Sequence, residues 1–354
     1  DGDWDDTLQP NNSKLKKQMA SSWTVALTYE VLKKLGQQLA DYDAAYAAHL
    51  SALAAGVQRD FETYMLADGT LPGFVYMEDE SHVELMVHPT DKKTGIQYRL
   101  LPMQQSMIGE LLSPEEAQHH LAIIKSHLQF PDGVRLMNRP AQYQGGVSTN
   151  FKRAEQAANF GREIGLQYVH AHIRFTEAMA KLGNKQETWQ GLGVINPIQI
   201  KERVPNAELR QANVYFSSSD GDFKTRYQAQ ENFGKLKEGT VGVKGGWRIY
   251  SSGPGIYLNQ LISQVLGIRE YVDHLELDPV LPAELDGLAL TYQIYAHPVK
   301  FVFHEATEAK VVINGQEMPL HFTENRYRQG AICFEKEQIC QLFNKSDNTI
   351  DIYR

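Results

Sequence analysis

Residues 288–303, Leu-Ala-Leu-Thr-Tyr-Gln-Ile-Tyr-Ala-His-Pro-Val-Lys-Phe-Val-Phe, decide the fold class, because in them the apolar period becomes two. Leu288, Leu290, Tyr292 and Ile294 alternate with smaller or polar residues, and so do Val299, Phe301 and Phe303, as expected of half-buried strands. Val311-Val312-Ile313-Asn314-Gly315 adds a strand running into a hairpin turn. Upstream the spacing is helical. Trp23, Leu27, Val31, Leu35 and Leu39 recur every four residues, and Tyr46, Leu50, Leu53, Val57, Phe61 and Tyr64 alternate steps of three and four, predicting two helices within 21–66. Ser113-Pro114-Glu115-Glu116 supplies a capping serine, a proline at the first helical position and a glutamate placed to close a capping box, so a helix runs from there to Leu128. Two more are predicted over about 165–182, stopping at Gly183-Asn184, and about 256–267, stopping at Gly267. Helices joined by Gly/Pro-containing loops and followed by strands predict a mainly α chain, a helical barrel or toroid capped by a β sandwich.

With 354 residues and 42% hydrophobic content, the chain can bury a large core. A net charge of -8 argues against nucleic acid or an anionic membrane as partner and suits neutral or small anionic ones. No run approaches eighteen apolar residues, so no membrane span is expected. Two cysteines, Cys333 and Cys340, make no disulfide framework and suggest a reducing, cytoplasmic setting. The chain opens on Asp-Gly-Asp-Trp without a methionine, which suggests a piece of a longer polypeptide. Residues 67–103 form a polar stretch broken by Gly and Pro and carrying His82, Glu84, His88, Asp91, Tyr98 and Arg99, expected as a functional loop.

Three stretches carry chemistry. Asp3-Trp4-Asp5-Asp6 clusters carboxyls beside an indole, where crowding and desolvation raise one acid toward the range of a general acid, and Trp4 offers a face for a sugar; it also reads as an acidic loop. In Gln167-Tyr168-Val169-His170-Ala171-His172-Ile173-Arg174, helical spacing puts His170 and Arg174 on one face, able to converge on an anion, while His172 points elsewhere. That face also reads as a solvated stripe. The two histidines are not spaced as a metal pair on a helix, and no metal is expected. Lys244-Gly245-Gly246-Trp247-Arg248-Ile249-Tyr250-Ser251-Ser252-Gly253-Pro254-Gly255 precedes a helix. Its small residues, hydroxyls and helix N-terminus suit an anion, although it also reads as a turn and lacks nucleotide-loop spacing.

Together these stretches resemble glycoside hydrolase family 94, the cellobiose, chitobiose and related β-glycoside phosphorylases, in the same order along the chain. The family's Asp-Trp-Asn-Asp-like motif ends on the general acid, which implies Asp6 here, with Asp5 standing where the motif has Asn. Its Gly-Gln-Tyr-Thr-His-Ala-like stretch is similar to 166–171, which implies that His170 binds phosphate. Its Thr-Gly pair ahead of a helix ending Leu-Gly-Ile implies the same for Ser252 and Gly253, with Ser251 the other candidate hydroxyl. Trp4, Asp3, Tyr168, His172, Arg174, Tyr215 and Ser218 are the expected substrate-binding residues. Within the family, GDWDDTLQP, YVHAHIR, RQANVYFSSSDGDF and GGWRIYSSGPG look most like members acting on 1,2-β-oligoglucans.

The resemblance implies an (α/α)6 barrel, its C-terminal portion at 1–272, followed by a small jelly-roll-like β sandwich at 273–354. It also implies that the first part of the barrel lies in an N-terminal remainder. The expected partners are a β-gluco-oligosaccharide and phosphate, a co-substrate rather than a cofactor, with a homodimer possible in principle. An inverting hydrolase needs two carboxyls about 6.5–9.5 Å apart, whereas a phosphorylase needs one, because phosphate is already an anionic nucleophile. The alternatives are such a hydrolase, with Asp220 or Asp222 as base, and a noncatalytic carbohydrate-binding fragment.

Overall fold

A computed structural model describes residues 4–79, 81–143, 145–155, 167–211, 215–248, 252–343 and 346–354, with backbone only at 78, 247, 248 and 252. Two compact units arise: residues 1–178 with 193–253, and residues 179–192 with 254–354. Helices dominate the first and sheets the second. No helix among the described residues is long and apolar enough to cross a membrane.

In the first unit the paired helices are Ser22–Leu39 and Ala44–Tyr64. Leu50 and Phe61 of the second predicted stripe are buried as expected, but the remaining buried faces differ from the large-residue stripes that the spacing predicts. Ala26, Tyr29, Glu30 and Gly36 are buried, whereas Val31, Leu35, Tyr46 and Leu53 are exposed. Close helix approach explains the difference: a Cβ on Gly36 would come within 3.1 Å of Ser51 Oγ and 3.3 Å of the Ala47 carbonyl, so small residues make the seam. Glu30 is buried because Gln105 and Lys34 both donate to its carboxylate.

The polar stretch 67–103 is only partly loop. It contains strands Phe74–Asp79 and His82–Met86 in a sheet with Met19–Ser21. It then enters the wholly buried helix Leu100–Ile108. The helix Pro114–Ile123 has the predicted reciprocal capping box between Ser113 and Glu116 and ends in a π-helical turn, Ile124–Leu128. A three-stranded sheet, ordered Gln167–Tyr168, Phe216–Gly221, Val243–Arg248, carries the helix Val169–Lys181 directly from its first strand.

Among the described residues, the second unit holds two sheets. One orders Ala289–Ile294, His297–His304, Asn348–Tyr353, Lys310–Ile313 and Gln316–Glu317; the other orders His321–Phe322, Ile332–Glu335, His274–Leu277 and Ile268–Glu270. The predicted alternation holds in the second of these strands, with Val299, Phe301 and Phe303 buried, but not in the first, where Ile294 is buried and Tyr292 is exposed. Asn314 and Gly315 take the positive φ values, 52° and 87°, of a tight hairpin turn. Arg328 ties the 179–192 segment into this unit by donating to the Ala180 carbonyl.

Candidate active site

Trp4 lies where three distant parts of the first unit meet. Its indole stacks on Tyr168 at 4.8 Å and 13°, stands edge-on to His170 at 5.5 Å, and lies 6.4 Å from Trp23 in the first turn of the Ser22–Leu39 helix. Tyr168 ends a strand and His170 is the second residue of the helix that follows, so the strand-to-helix transition presents both rings together. Burial, and secondarily the charge of Arg174 one turn on, hold the His170 imidazole below the usual histidine range. A neutral imidazole offers one N–H donor and one acceptor near pH 7. Arg174 itself pairs with Glu177.

Asp6 opens a 3-10 turn, Asp6–Leu8, and its side chain is exposed. Asp5 is buried instead. Its Oδ1 accepts from the Thr7 N–H at 3.1 Å and the Thr7 hydroxyl at 2.5 Å, and its Oδ2 lies 3.8 Å from Arg99 Nη2.

The strand Phe216–Gly221 pairs with Tyr168 through Ser218. Ser218 is buried, and its hydroxyl and the Asp220 carboxylate crowd the same space: a Cβ on Gly246 would lie 2.5 Å from Ser218 Oγ and 2.2 Å from Asp220 Oδ2. Burial raises the Asp220 carboxyl above its ordinary range, against the opposing pull of Ser218, Lys244, Arg135 and Arg210. Just before this strand, the Tyr215 ring lies on Gly253, where a Cβ would fall 1.6 Å from Tyr215 Cζ. Burial, with Tyr168 adding to it, pushes the Tyr215 phenol up.

The structure therefore brings together Trp4, Tyr168, His170, Tyr215 and Gly253, with Ser218 on the adjoining strand and Arg174 on the next helical turn. His172 turns away, as its position in the helix predicts: its ring is buried, and Nδ1 accepts the Val134 N–H at 3.1 Å. Asp3 and Ser251 lie outside the described residues, as does the Ser252 side chain. Sequence reasoning missed the place of Trp23, which the four-residue spacing assigns to a core stripe, and of Arg99, expected in a polar loop but fully buried. A lone Arg followed by Leu-Leu-Pro-Met, a fully buried run, was the available signal for Arg99.

Comparison with known proteins agrees in two places. Residues 267–353 match the family model of the glycoside phosphorylase C-terminal domain. A 1,2-beta-oligoglucan phosphorylase of Listeria innocua serovar 6a is 56% identical over 340 residues, covering 96% of this chain and 31% of that protein. The likeness is to glycoside phosphorylases. This chain resembles the Listeria phosphorylase over nearly its whole length, yet it spans only about a third of that relative. Cyclic beta-(1,2)-glucan synthase NdvB of Rhizobium meliloti (strain 1021) is 28% identical over 133 residues, 38% of this chain and 4% of its own. Among solved structures, a glycosidase variant in complex with glucose is similar at a TM-score of 0.40 and 14% identity, over 67% of this chain and 50% of that one.

Proposed function

We propose that the full-length protein is an inverting phosphorylase of β-linked gluco-oligosaccharides, β-1,2-glucan oligomers in particular. The observation that supports this best is the stacking of Trp4, two residues before Asp6, on Tyr168 and against His170. An acid-bearing turn and a candidate anion-binding helix start thus share one aromatic wall. A phosphate oxygen attacks the anomeric carbon as the bond to the glycosidic oxygen breaks on the opposite side, and Asp6 gives its proton to that departing oxygen. The products are α-glucose 1-phosphate and a shortened oligosaccharide, and the reaction runs in both directions.

In this reading His170, Gly253 and a hydroxyl of Ser251 or Ser252 hold phosphate, which takes the place of a second carboxylate by arriving already charged. Trp4 and Tyr168 supply sugar-stacking faces, with Asp3, Arg174, Tyr215 and Ser218 as polar contacts. His172 acts from behind, through Val134, rather than at the sugar. Phosphate is a co-substrate in this reading, which calls for no cofactor.

The same reading makes residues 1–272 the C-terminal portion of an (α/α)6 barrel completed by an N-terminal remainder, and 273–354 a jelly-roll-like sandwich, in a cytoplasmic enzyme able to form a homodimer. The test is product analysis on glucobioses and sophorose-type oligomers, with and without phosphate. Glucose 1-phosphate appearing only with phosphate, and only from 1,2-linked substrates, is the expected result; free glucose without phosphate would replace the reading by hydrolysis. Asp6→Asn should lower phosphorolysis about 10²–10⁴-fold, the usual contribution of a general acid.

A further inference from the structure

We propose that the buried Asp5–Arg99 pair is a positioning device for Asp6, an inference that rests on the reading of Asp6 as the acid. The carboxyl of Asp6 is exposed, so its aim follows the backbone of the 3-10 turn it opens. Asp5 caps that turn. One of its oxygens takes both the N–H and the hydroxyl of Thr7, and the other faces Arg99 at 3.8 Å. The two oxygens therefore join the turn to a guanidinium that is fully buried.

Arg99 is in turn held by rigid elements on several sides. Its backbone leads into the buried helix Leu100–Ile108, it bridges to Met137, and its guanidinium lies 4.9 Å from the Phe74 ring centroid. On another side only a glycine fits, since a Cβ on Gly73 would meet Arg99 Cδ at 3.2 Å and Val87 Cβ at 2.8 Å. A buried guanidinium needs compensating charge, and Asp5 supplies such charge to Arg99 with one oxygen while it caps the turn with the other. The position of the Asp6 backbone is thus set by the core of the first unit. A misplacement of the proton donor of about 1 Å costs catalysis much and ground-state binding little.

Asp5→Asn is the informative variant, because an asparagine oxygen can still cap Thr7 while the charge facing Arg99 is gone. It should be compared in the full-length protein with Arg99→Gln, with the double variant and with Asp6→Asn. The assay is phosphorolysis of sophorose-type oligomers, at a temperature well below each melting midpoint. We expect Asp5→Asn to lower kcat about tenfold with KM changed less than about twofold, and the double variant to be no slower than the slower single variant. Should Arg99→Gln not fold, Asp5→Asn alone decides. A kcat for Asp5→Asn within about twofold of the parent, or single losses that multiply in the double variant, overturns the positioning role. An inactive Asp6→Asn beside an unaffected Asp5→Asn removes that role alone, whereas an active Asp6→Asn removes the acid reading and this proposal together.

Discussion

Gly253 has no room for a single further carbon, because the Tyr215 ring occupies the place where its Cβ would stand. Gly253→Ala should therefore force Tyr215 or the start of the Ser252–Gln260 helix to move. We expect a stability loss of about 1–3 kcal/mol, as for other overpacked sites, and, on the proposed function, a raised KM for phosphate. Adding Tyr215→Ala to that variant should restore stability but not the site, read by thermal melting and by kinetics in parallel. At this scale residue identity was readable and residue neighbourhood was not. Gly253 could be picked from its resemblance to the glycine of the family's Thr-Gly pair, but nothing in the sequence announces which ring lies on it. Likewise the contrast between His170, facing Trp4, and His172, accepting from Val134, follows from helical spacing. The division of labour between Asp5 and Asp6, one buried and one exposed, does not, since two adjacent identical side chains carry no local mark of burial.

Among the elements, the Pro114–Ile123 helix was the most legible, its capping box being a contact between residues three apart. It also carries a feature that only packing creates. His120 is fully buried, with Nδ1 donating to the Glu116 carbonyl and Nε2 accepting the Leu71 N–H. Burial foremost lowers its pKa to about 4. The unfolded chain therefore takes up a proton near pH 6.5 while the folded one does not. The stabilisation is complete above that pH and is lost progressively as pH falls toward 4, by roughly 3 kcal/mol in all. His120→Gln keeps a donor and an acceptor but does not titrate, so its denaturation midpoint should fall less steeply between pH 6.5 and 4.5 than the parent's. Parallel slopes would refute this. The stripe of the Ser22–Leu39 helix was misjudged for a related reason: periodicity locates large apolar residues, whereas Gly36 and the hydrogen-bonded Glu30 set the closest approach.

At the scale of the whole molecule, each unit has its own organising contacts. In the second, Asp278 collects Arg269, Arg328 and Arg354, which come from three separate stretches of sequence. Burial alone would lift its carboxyl, but these guanidiniums, Arg328 foremost, hold it below the ordinary range. Asp278→Ala leaves three arginines around an empty centre, and we expect a loss of about 3–5 kcal/mol, measured by urea unfolding. A loss under about 1 kcal/mol would mean that solvent replaces the carboxylate.

The sequence by itself determined part of what rests on neighbours a few residues apart: the two paired helices, the capping box of the Pro114–Ile123 helix, the alternation at Val299, Phe301 and Phe303, the Asn314-Gly315 turn, and the three chemistry-bearing stretches. Tertiary structure alone decided which surfaces those elements bury, that Trp4 meets Tyr168 and His170, that Tyr215 covers Gly253, and that Arg99 lies beneath Asp5. The reason is physical. Local propensities act over one or two turns of chain, whereas burial and charge pairing depend on residues up to about a hundred and sixty positions apart, whose proximity only the folded core creates.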